Sequence, residues 1–180
     1  MNLLKSIFLP HKPERSALEK SAYSFSFTDI KTGKPLPLSK FSGQAVLVVN
    51  TASKCMFTPQ YKDMQELWQQ YKDKGLVVIA VPSNDFGEQE KGTNSEIKQF
   101  CRKNYSVNFP VMEKEVVRGN YAHPFYKWAV EILGGTATPR WNFHKYLISP
   151  EGNLVDFFLP FTRLNSQKVI KKIEEILGSA

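Results

Sequence analysis

The segment from Ala45 to Val81 constrains the fold more than any other. Ala45-Val46-Leu47-Val48-Val49 is short, uncharged and rich in β-branched residues, which suits a strand buried on both faces. Thr58 followed by Pro59 reads as an N-cap with proline at the first helical position. Tyr61, Met64, Leu67, Trp68 and Tyr71 then recur at helical spacing, so a helix is expected over about 59–72, closed by Gly75. Leu76-Val77-Val78-Ile79-Ala80-Val81 is a second buried strand. Strand, crossover helix and strand make a right-handed βαβ unit with parallel strands. One of only two cysteines, Cys55, falls between the first strand and the helix. A thiol at the mouth of a helix meets partial positive charge and free N–H groups, which favour the reactive thiolate.

The remaining elements extend this unit. Residues 23–27 alternate like a half-buried strand, Thr32-Gly33-Lys34 reads as a turn, and 36–38 as a short strand. Pro82 to Gly92 is a polar, glycine-containing loop. Thr93 with Glu96 has the capping-box pattern and opens a helix to about Asn104, with Ile97, Phe100 and Cys101 on one face. Residues 109–112 read as a short strand or an extended segment. His123 to Leu133 is a third helix, started by Pro124 and ended by Gly134-Gly135. Residues 146–149 and 154–158 flank Pro150-Glu151-Gly152-Asn153 as an antiparallel hairpin, and Ser166 to Leu177 is an amphipathic helix. This order is that of an α/β, thioredoxin-like fold with an insertion, a central mixed β-sheet flanked by α-helices. Residues 1–22 are expected to be a mobile N-terminal extension and 23–180 a single domain.

Composition excludes several function classes. With 180 residues, 42% hydrophobic and 23% charged, the chain has the make-up of an ordinary globular domain, and no run is long enough for a transmembrane helix. The net charge of +7 comes without an aromatic-interleaved basic stripe, so nucleic acid is not expected as a partner. Leu3-Leu4 and Ile7-Phe8-Leu9 are interrupted by Lys5 and stopped by Pro10, unlike a signal peptide, and Glu14 and Glu19 argue against organelle targeting. The expectation is a cytoplasmic protein without stable membrane insertion. Cys55 and Cys101 form no Cys-x-x-Cys pair, and with His11, His123 and His144 scattered they supply no four-ligand zinc site. No metal or cofactor is expected.

Three motifs now carry the chemistry. Val48-Val49-Asn50-Thr51-Ala52-Ser53-Lys54-Cys55-Met56-Phe57-Thr58-Pro59-Gln60-Tyr61 resembles the glutathione peroxidase family's segment around its reactive cysteine or selenocysteine. Pro82-Ser83-Asn84-Asp85-Phe86-Gly87-Glu88-Gln89-Glu90 resembles the loop bearing that family's catalytic glutamine, and Trp141-Asn142-Phe143 resembles its third signature. The resemblance runs from about Tyr23 to Leu177 and implies a catalytic set of Cys55, Gln89, Trp141 and Asn142. The chemistry is intelligible from the residues. Peroxide reduction needs a nucleophilic sulfur, and a free thiol of pKa near 8.5 is only about 3% ionised at pH 7. Each hydrogen bond to a charged group contributes roughly 1.5–3 kcal/mol, so two donors suffice to make a thiolate the main form. The amides of Gln89 and Asn142 and the Trp141 indole are neutral donors that can also steady a leaving oxygen. Taken singly, Trp141 reads more readily as a core residue and the two amides as exposed loop positions; together, beside this cysteine, they favour the catalytic reading.

Cys101 has two readings. On the helix face of Ile97 and Phe100 it is a small buried apolar side chain. The resemblance implies instead a resolving cysteine, as in thioredoxin-dependent members of the family, which attacks the Cys55 sulfenic acid to form a Cys55–Cys101 disulfide. A disulfide needs Cα atoms within about 7 Å, so the helix around Cys101 is expected to unwind locally. The implied function is a thiol-dependent peroxidase acting on hydrogen peroxide and organic or lipid hydroperoxides, with thioredoxin as reductant. The alternatives are a glutathione-dependent enzyme with a structural Cys101, a peroxide sensor or redox relay, and a thioredoxin-like binding module with an inert Cys55. A peroxiredoxin is disfavoured because Asn50-Thr51-Ala52-Ser53-Lys54 lacks the proline such an enzyme carries before its cysteine.

Several positions depart from the family pattern. Met56 and Glu88 stand where glycine is common, Ser83 where cysteine is frequent, and Asp85 where glutamine is common. Asp85 and Glu88 are expected to oppose thiolate formation and Lys54 to offset them. The stretch between Leu133 and Trp141 is short and lacks the insertion of tetrameric members, which implies a monomer or weak homodimer with an open site.

Overall fold

The computed structural model describes residues 11–178. Its centre is a four-stranded mixed sheet of order β4-β3-β5-β6, formed by β3 (Ala45–Thr51), β4 (Leu76–Pro82), β5 (Lys145–Ile148) and β6 (Leu154–Phe158). β3 and β4 are parallel, with Ala45 opposite Leu76 and Thr51 opposite Pro82, and every residue of both strands is buried. β5 runs antiparallel to β3 and to β6. A two-stranded antiparallel ribbon, β1 (Ser26–Thr28) and β2 (Pro35–Pro37), lies outside this sheet.

Burial on both faces follows from the uninterrupted apolar runs. Val46, Val48, Val77 and Ile79 pack in one core with Phe125, Tyr126 and Trp128 of α4 (Pro124–Leu133). Leu47, Val49, Val78 and Ala80 pack in the other, with α2 (Gln60–Tyr71), α3 (Asn94–Tyr105) and α5 (Gln167–Gly178) supplying Tyr61, Met64, Ile97, Cys101, Val169 and Ile173. Adjacent residues of one strand thus serve opposite cores, as the two-residue repeat of a pleated strand requires.

The boundaries hold with two informative shifts. The Thr93–Glu96 capping box is present, His123 accepts from Phe125 N–H at the start of α4, and Gly75 ends the α2 region at φ +96°. The first strand is shorter than 23–27, because Ser21 caps a 3-10 turn over Ala22–Ser24 and pairing begins only at Ser26. Residues 109–112 bridge at single positions, Val111 to Ala80 and Met112 to Asp29, and are an extended segment.

The expected lead-in over 1–22 is described only from residue 11. The readings of Leu3 to Leu9 lie outside the described residues. From there the chain is seated on α4 through α1 (Arg15–Leu18): the Trp128 indole donates to Ala17 O at 3.1 Å, and His11 is hydrogen-bonded to Glu131 O. Ala22 N–H donates to Gly152 O at 2.9 Å.

Candidate active site

Three connections meet at one end of the sheet. The chain leaves β3 at Thr51, leaves β4 at Pro82 and enters the antiparallel β5 at Lys145. The C-terminal ends of parallel strands and the N-terminal end of an antiparallel neighbour coincide, so the Cys55 turn, the Gln89 loop and the Trp141-Asn142 segment are drawn to the same edge. This is the usual place for a site in an α/β sheet.

The Cys55 turn is braced by Thr58. Its hydroxyl accepts from Cys55 N–H and donates to Ala52 O, both at 2.8 Å. Thr58 therefore does not cap α2, whose entry is a tight turn through Pro59 with no side-chain cap. The reason is local: Thr58 N–H is already bonded to Cys55 O at 3.0 Å, which folds residues 55–58 into a turn of their own. The half-exposed Cys55 Sγ accepts from Phe57 N–H at 3.3 Å. A backbone donor ahead of α2 thus meets the sulfur, in place of a capped helix end.

The Gln89 loop is anchored at both sides. Lys54 N–H donates to Gln89 O at 3.1 Å, joining the loop to the residue before Cys55. Glu90 N–H donates to Asn84 Oδ1, and the Lys114 ammonium donates to Glu90 O and Gly92 O. Asp85 Oδ2 accepts from Val117 N–H at 2.7 Å and Arg118 N–H at 3.2 Å. Asp85, expected to oppose thiolate formation, serves as an anchor of this loop. Glu88 forms an exposed pair with Lys91 at 3.5 Å. Glu88 has φ +51°, a left-handed conformation that favours glycine, which accounts for glycine being common there.

Gln89, Trp141 and Asn142 are brought together. Asn142 Nδ2 donates to Gln89 Oε1 at 2.8 Å, and Asn142 is fully buried. Once the Gln89 oxygen is held in this way, its N–H2 end is the free end of the amide. Asn142 was expected to offer its amide to the sulfur; the bond it makes is to Gln89. Trp141 packs on Phe86 with ring centroids 6.0 Å apart and overlies Gly87, where an added Cβ would sit 3.1 Å from the indole. The segment is tied to β3 by Asn50, whose Nδ2 donates to Trp141 O at 3.1 Å and whose carbonyl accepts from Phe143 N–H. Phe143 itself lies at φ +66°, a reversal between the half-exposed Trp141 and the strand interior.

Asn50 was read only as part of a motif. Its signal was a polar residue ending a buried apolar run, a position that needs partners. His144 is buried against Phe157 and Tyr146 and pushed down to about 4, chiefly by burial, so it stays neutral near pH 7.

The second cysteine is elsewhere. Cys101 sits inside α3, 2% exposed, and burial pushes its thiol up to about 11, with the Tyr61 hydroxyl acting in the opposite direction. Both cysteines are free thiols. A depression of about 400 Å³ separates the two regions, lined by Ser53, Lys54, Gln89 and Glu90 on one side and Ile97 and Phe100 of α3 on the other. A larger pocket of about 560 Å³ touches Cys101 on another flank of α3, away from Gln89 and Trp141.

The family model described as glutathione peroxidase matches residues 22–130. The chain belongs to the glutathione peroxidase family. It is 45% identical over 165 residues to the glutathione peroxidase-like peroxiredoxin GPX5 of Chlamydomonas reinhardtii, covering 87% of this chain and 96% of that one. It is 43% identical over 141 residues to the hydroperoxy fatty acid reductase gpx1 of Synechocystis, covering 74% of this chain and 83% of that one. The solved thioredoxin-family thiol:disulfide interchange protein of Chlorobium tepidum superposes with a TM-score of 0.65 at 18% identity, covering 94% of this chain and 100% of that one, which establishes the thioredoxin fold. Membership makes this chain a thiol-dependent peroxidase, with a hydroperoxide as substrate and a thiol as reductant. Among the described residues, no helix is long and apolar enough to cross a membrane.

Proposed function

We propose that Cys55 is the sulfur that reduces the hydroperoxide. Its thiolate attacks one peroxide oxygen, the O–O bond breaks, and the other oxygen leaves as alcohol or water after taking a proton. Cys55 is left as a sulfenic acid. The Gln89 amide and the Trp141 indole are the neutral donors on the approach, and Asn142 orients Gln89. The observation that carries this reading is the Asn142–Gln89 amide pair at 2.8 Å, on a loop whose Gln89 carbonyl is bonded to the residue before Cys55.

Cys101 then resolves the sulfenic acid. Its sulfur bonds to that of Cys55, the S–O bond breaks, and the departing hydroxide combines with the Cys101 proton to give water. The depression between Gln89 and α3 supports this path, and the burial of Cys101 requires α3 to open first. Thioredoxin returns the disulfide to two thiols. Organic hydroperoxides fall within the range, in keeping with the name of the Synechocystis relative. The remaining parts of the reading are a monomer or weak dimer in the cytoplasm.

The same burial of Cys101 favours a second reading, in which that residue is structural and glutathione reduces Cys55 directly. Hydroperoxide consumption with thioredoxin or glutathione separates the two, measured for the native chain, Cys55→Ser and Cys101→Ser. Loss of thioredoxin-driven turnover in both variants supports the two-cysteine cycle. Full thioredoxin-driven turnover in Cys101→Ser returns that residue to a packing role.

A further inference from the structure

One buried carboxylate has no part in the peroxide step. Glu90 follows Gln89 in its loop and is 1% exposed. Its N–H donates to Asn84 Oδ1 at 2.9 Å and its carbonyl accepts from the Lys114 ammonium at 3.1 Å, so its backbone is fixed. Its carboxylate is not accounted for in this way. Oε2 is buried and has no hydrogen-bond partner among the described residues. Lys114 binds the carbonyls of Glu90 and Gly92, so the loop is anchored without Oε2. A buried acceptor left without a donor is costly, and a carboxylate oxygen more so than a neutral one.

Glu90 lies between the two cysteines. It lines the depression of about 400 Å³ together with Ser53, two residues before Cys55, and with Ile97 and Phe100 of α3. Ile97 precedes Cys101 by one helical turn on the same buried face. Tyr61 of α2 packs on Phe100 with ring centroids 6.3 Å apart and shares the core that holds Cys101. A sulfur that leaves α3 for Cys55 has to cross this depression and pass Glu90. Burial raises the Glu90 carboxyl, while Ser53 and the Lys114 ammonium act in the opposite direction. The Glu90 charge in turn adds to the burial that raises the Tyr61 hydroxyl and the Cys101 thiol. Lys54, Lys91, Glu96 and Lys103 stand exposed on the rim of the depression. A carboxylate whose titration is moved toward neutral pH is well matched to accept a proton there.

We propose that the Glu90 carboxylate accepts the proton of Cys101 as that thiol attacks the Cys55 sulfenic acid. The proposal rests on the two-cysteine cycle above. The Cys101 S–H bond breaks and its proton goes to Glu90. The freed electron pair forms the bond to the Cys55 sulfur, and the Cys55 S–O bond breaks. The leaving hydroxide takes the proton from Glu90, so water departs and the carboxylate is restored. The sulfenic acid is the oxidant and the thiol the reductant, so the step needs no further reactant.

Single-turnover stopped-flow fluorescence after one equivalent of hydrogen peroxide, with disulfide mapping, separates Cys55 oxidation from disulfide formation. In Glu90→Gln the rate constant of disulfide formation, relative to that of Cys55 oxidation, should fall about a hundredfold, the scale on which a positioned base acts. The pH profile distinguishes proton transfer from packing. In the native chain the rate of disulfide formation should level off above the titration of Glu90. In Glu90→Gln it should rise about tenfold per pH unit from pH 6 to 8, because only the small ionised fraction of the thiol then reacts. If Glu90→Gln fails to fold, Glu90→Asp carries the test and should keep the levelled profile at a lower rate; a steadily rising profile there overturns the proposal. An unchanged ratio in Glu90→Gln overturns it and leaves the two-cysteine cycle standing. A lowered ratio with the native pH profile also overturns it, and gives Glu90 a packing role. Cys101 that stays a thiol in the native chain after Cys55 is oxidised sinks the two-cysteine cycle, and this proposal with it.

Discussion

The two cysteines occupy opposite environments. Cys55 is partly exposed on a four-residue turn, its sulfur accepting a backbone N–H, with the Gln89 loop bonded to the neighbouring Lys54. Cys101 is sealed in the middle of α3 among apolar side chains, its thiol pushed up to about 11 by burial. One sulfur is reachable and the other is kept a thiol. Under the proposed cycle, this contrast orders the chemistry: the more accessible sulfur reacts first, and the buried one joins only after α3 opens.

The largest effect that tests this order is removal of the reachable sulfur. Cys55→Ser should lower peroxide turnover by at least about a thousandfold, the scale on which loss of a nucleophile acts. Retained turnover would move the chemistry to Cys101 and collapse the contrast. Cys101→Ser should instead keep a stoichiometric burst of peroxide consumption and lose steady-state turnover with thioredoxin, which stopped-flow fluorescence followed by a coupled assay distinguishes.

A stability measurement sharpens the contrast from the buried side. Cys101 titrates at about 11 in the folded chain against an ordinary 9.0, so the folded state holds the proton where the unfolded state releases it. The stabilisation is complete below pH 9 and is lost as pH rises from 9 to about 11, at most about 3 kcal/mol. Denaturant midpoints across that window should fall more steeply for the native chain than for Cys101→Ala. Parallel curves would mean that the thiol is less enclosed than its surroundings indicate.

Smaller effects probe the supports of Cys55. Asn142→Ala removes the donor to Gln89 Oε1, and a net contribution of about 0.5–1.5 kcal/mol implies Cys55 oxidation slower by about two- to thirteenfold. An unchanged rate would show that Gln89 needs no such orientation. The smallest expected change is at Glu88, whose φ of +51° strains any side chain. Glu88→Gly should raise stability by about 1 kcal/mol, read from the thermal midpoint, and its exposed pair with Lys91 contributes too little to offset that gain.

Much of this was legible in the sequence where one local cause dominates. β3 and β4 follow from apolar runs, α3 from its capping box, and the end of the α2 region from Gly75, each decided by neighbouring residues. The candidate site was legible as three motifs but not as a bonding pattern. Thr58 looked like a helix cap because Pro59 follows it, yet its hydroxyl has nearer partners in Ala52 and Cys55. Asp85 was read only as a charge opposing the thiolate, yet its carboxylate is bonded by the N–H groups of Val117 and Arg118, more than thirty positions away. Lys145 drew no reading from the sequence, because nothing local announces that three carbonyls of a later loop surround it. What escaped in each case is a polar contact set by chain reversals distant in sequence.

Hydrogen exchange with disulfide mapping, before and after one equivalent of hydrogen peroxide, tests the central contrast most directly. The account predicts slow exchange over 100–103 in the reduced protein, then lost protection there together with a Cys55–Cys101 bond. Oxidation of Cys55 with Cys101 still a thiol and α3 protection unchanged would contradict it.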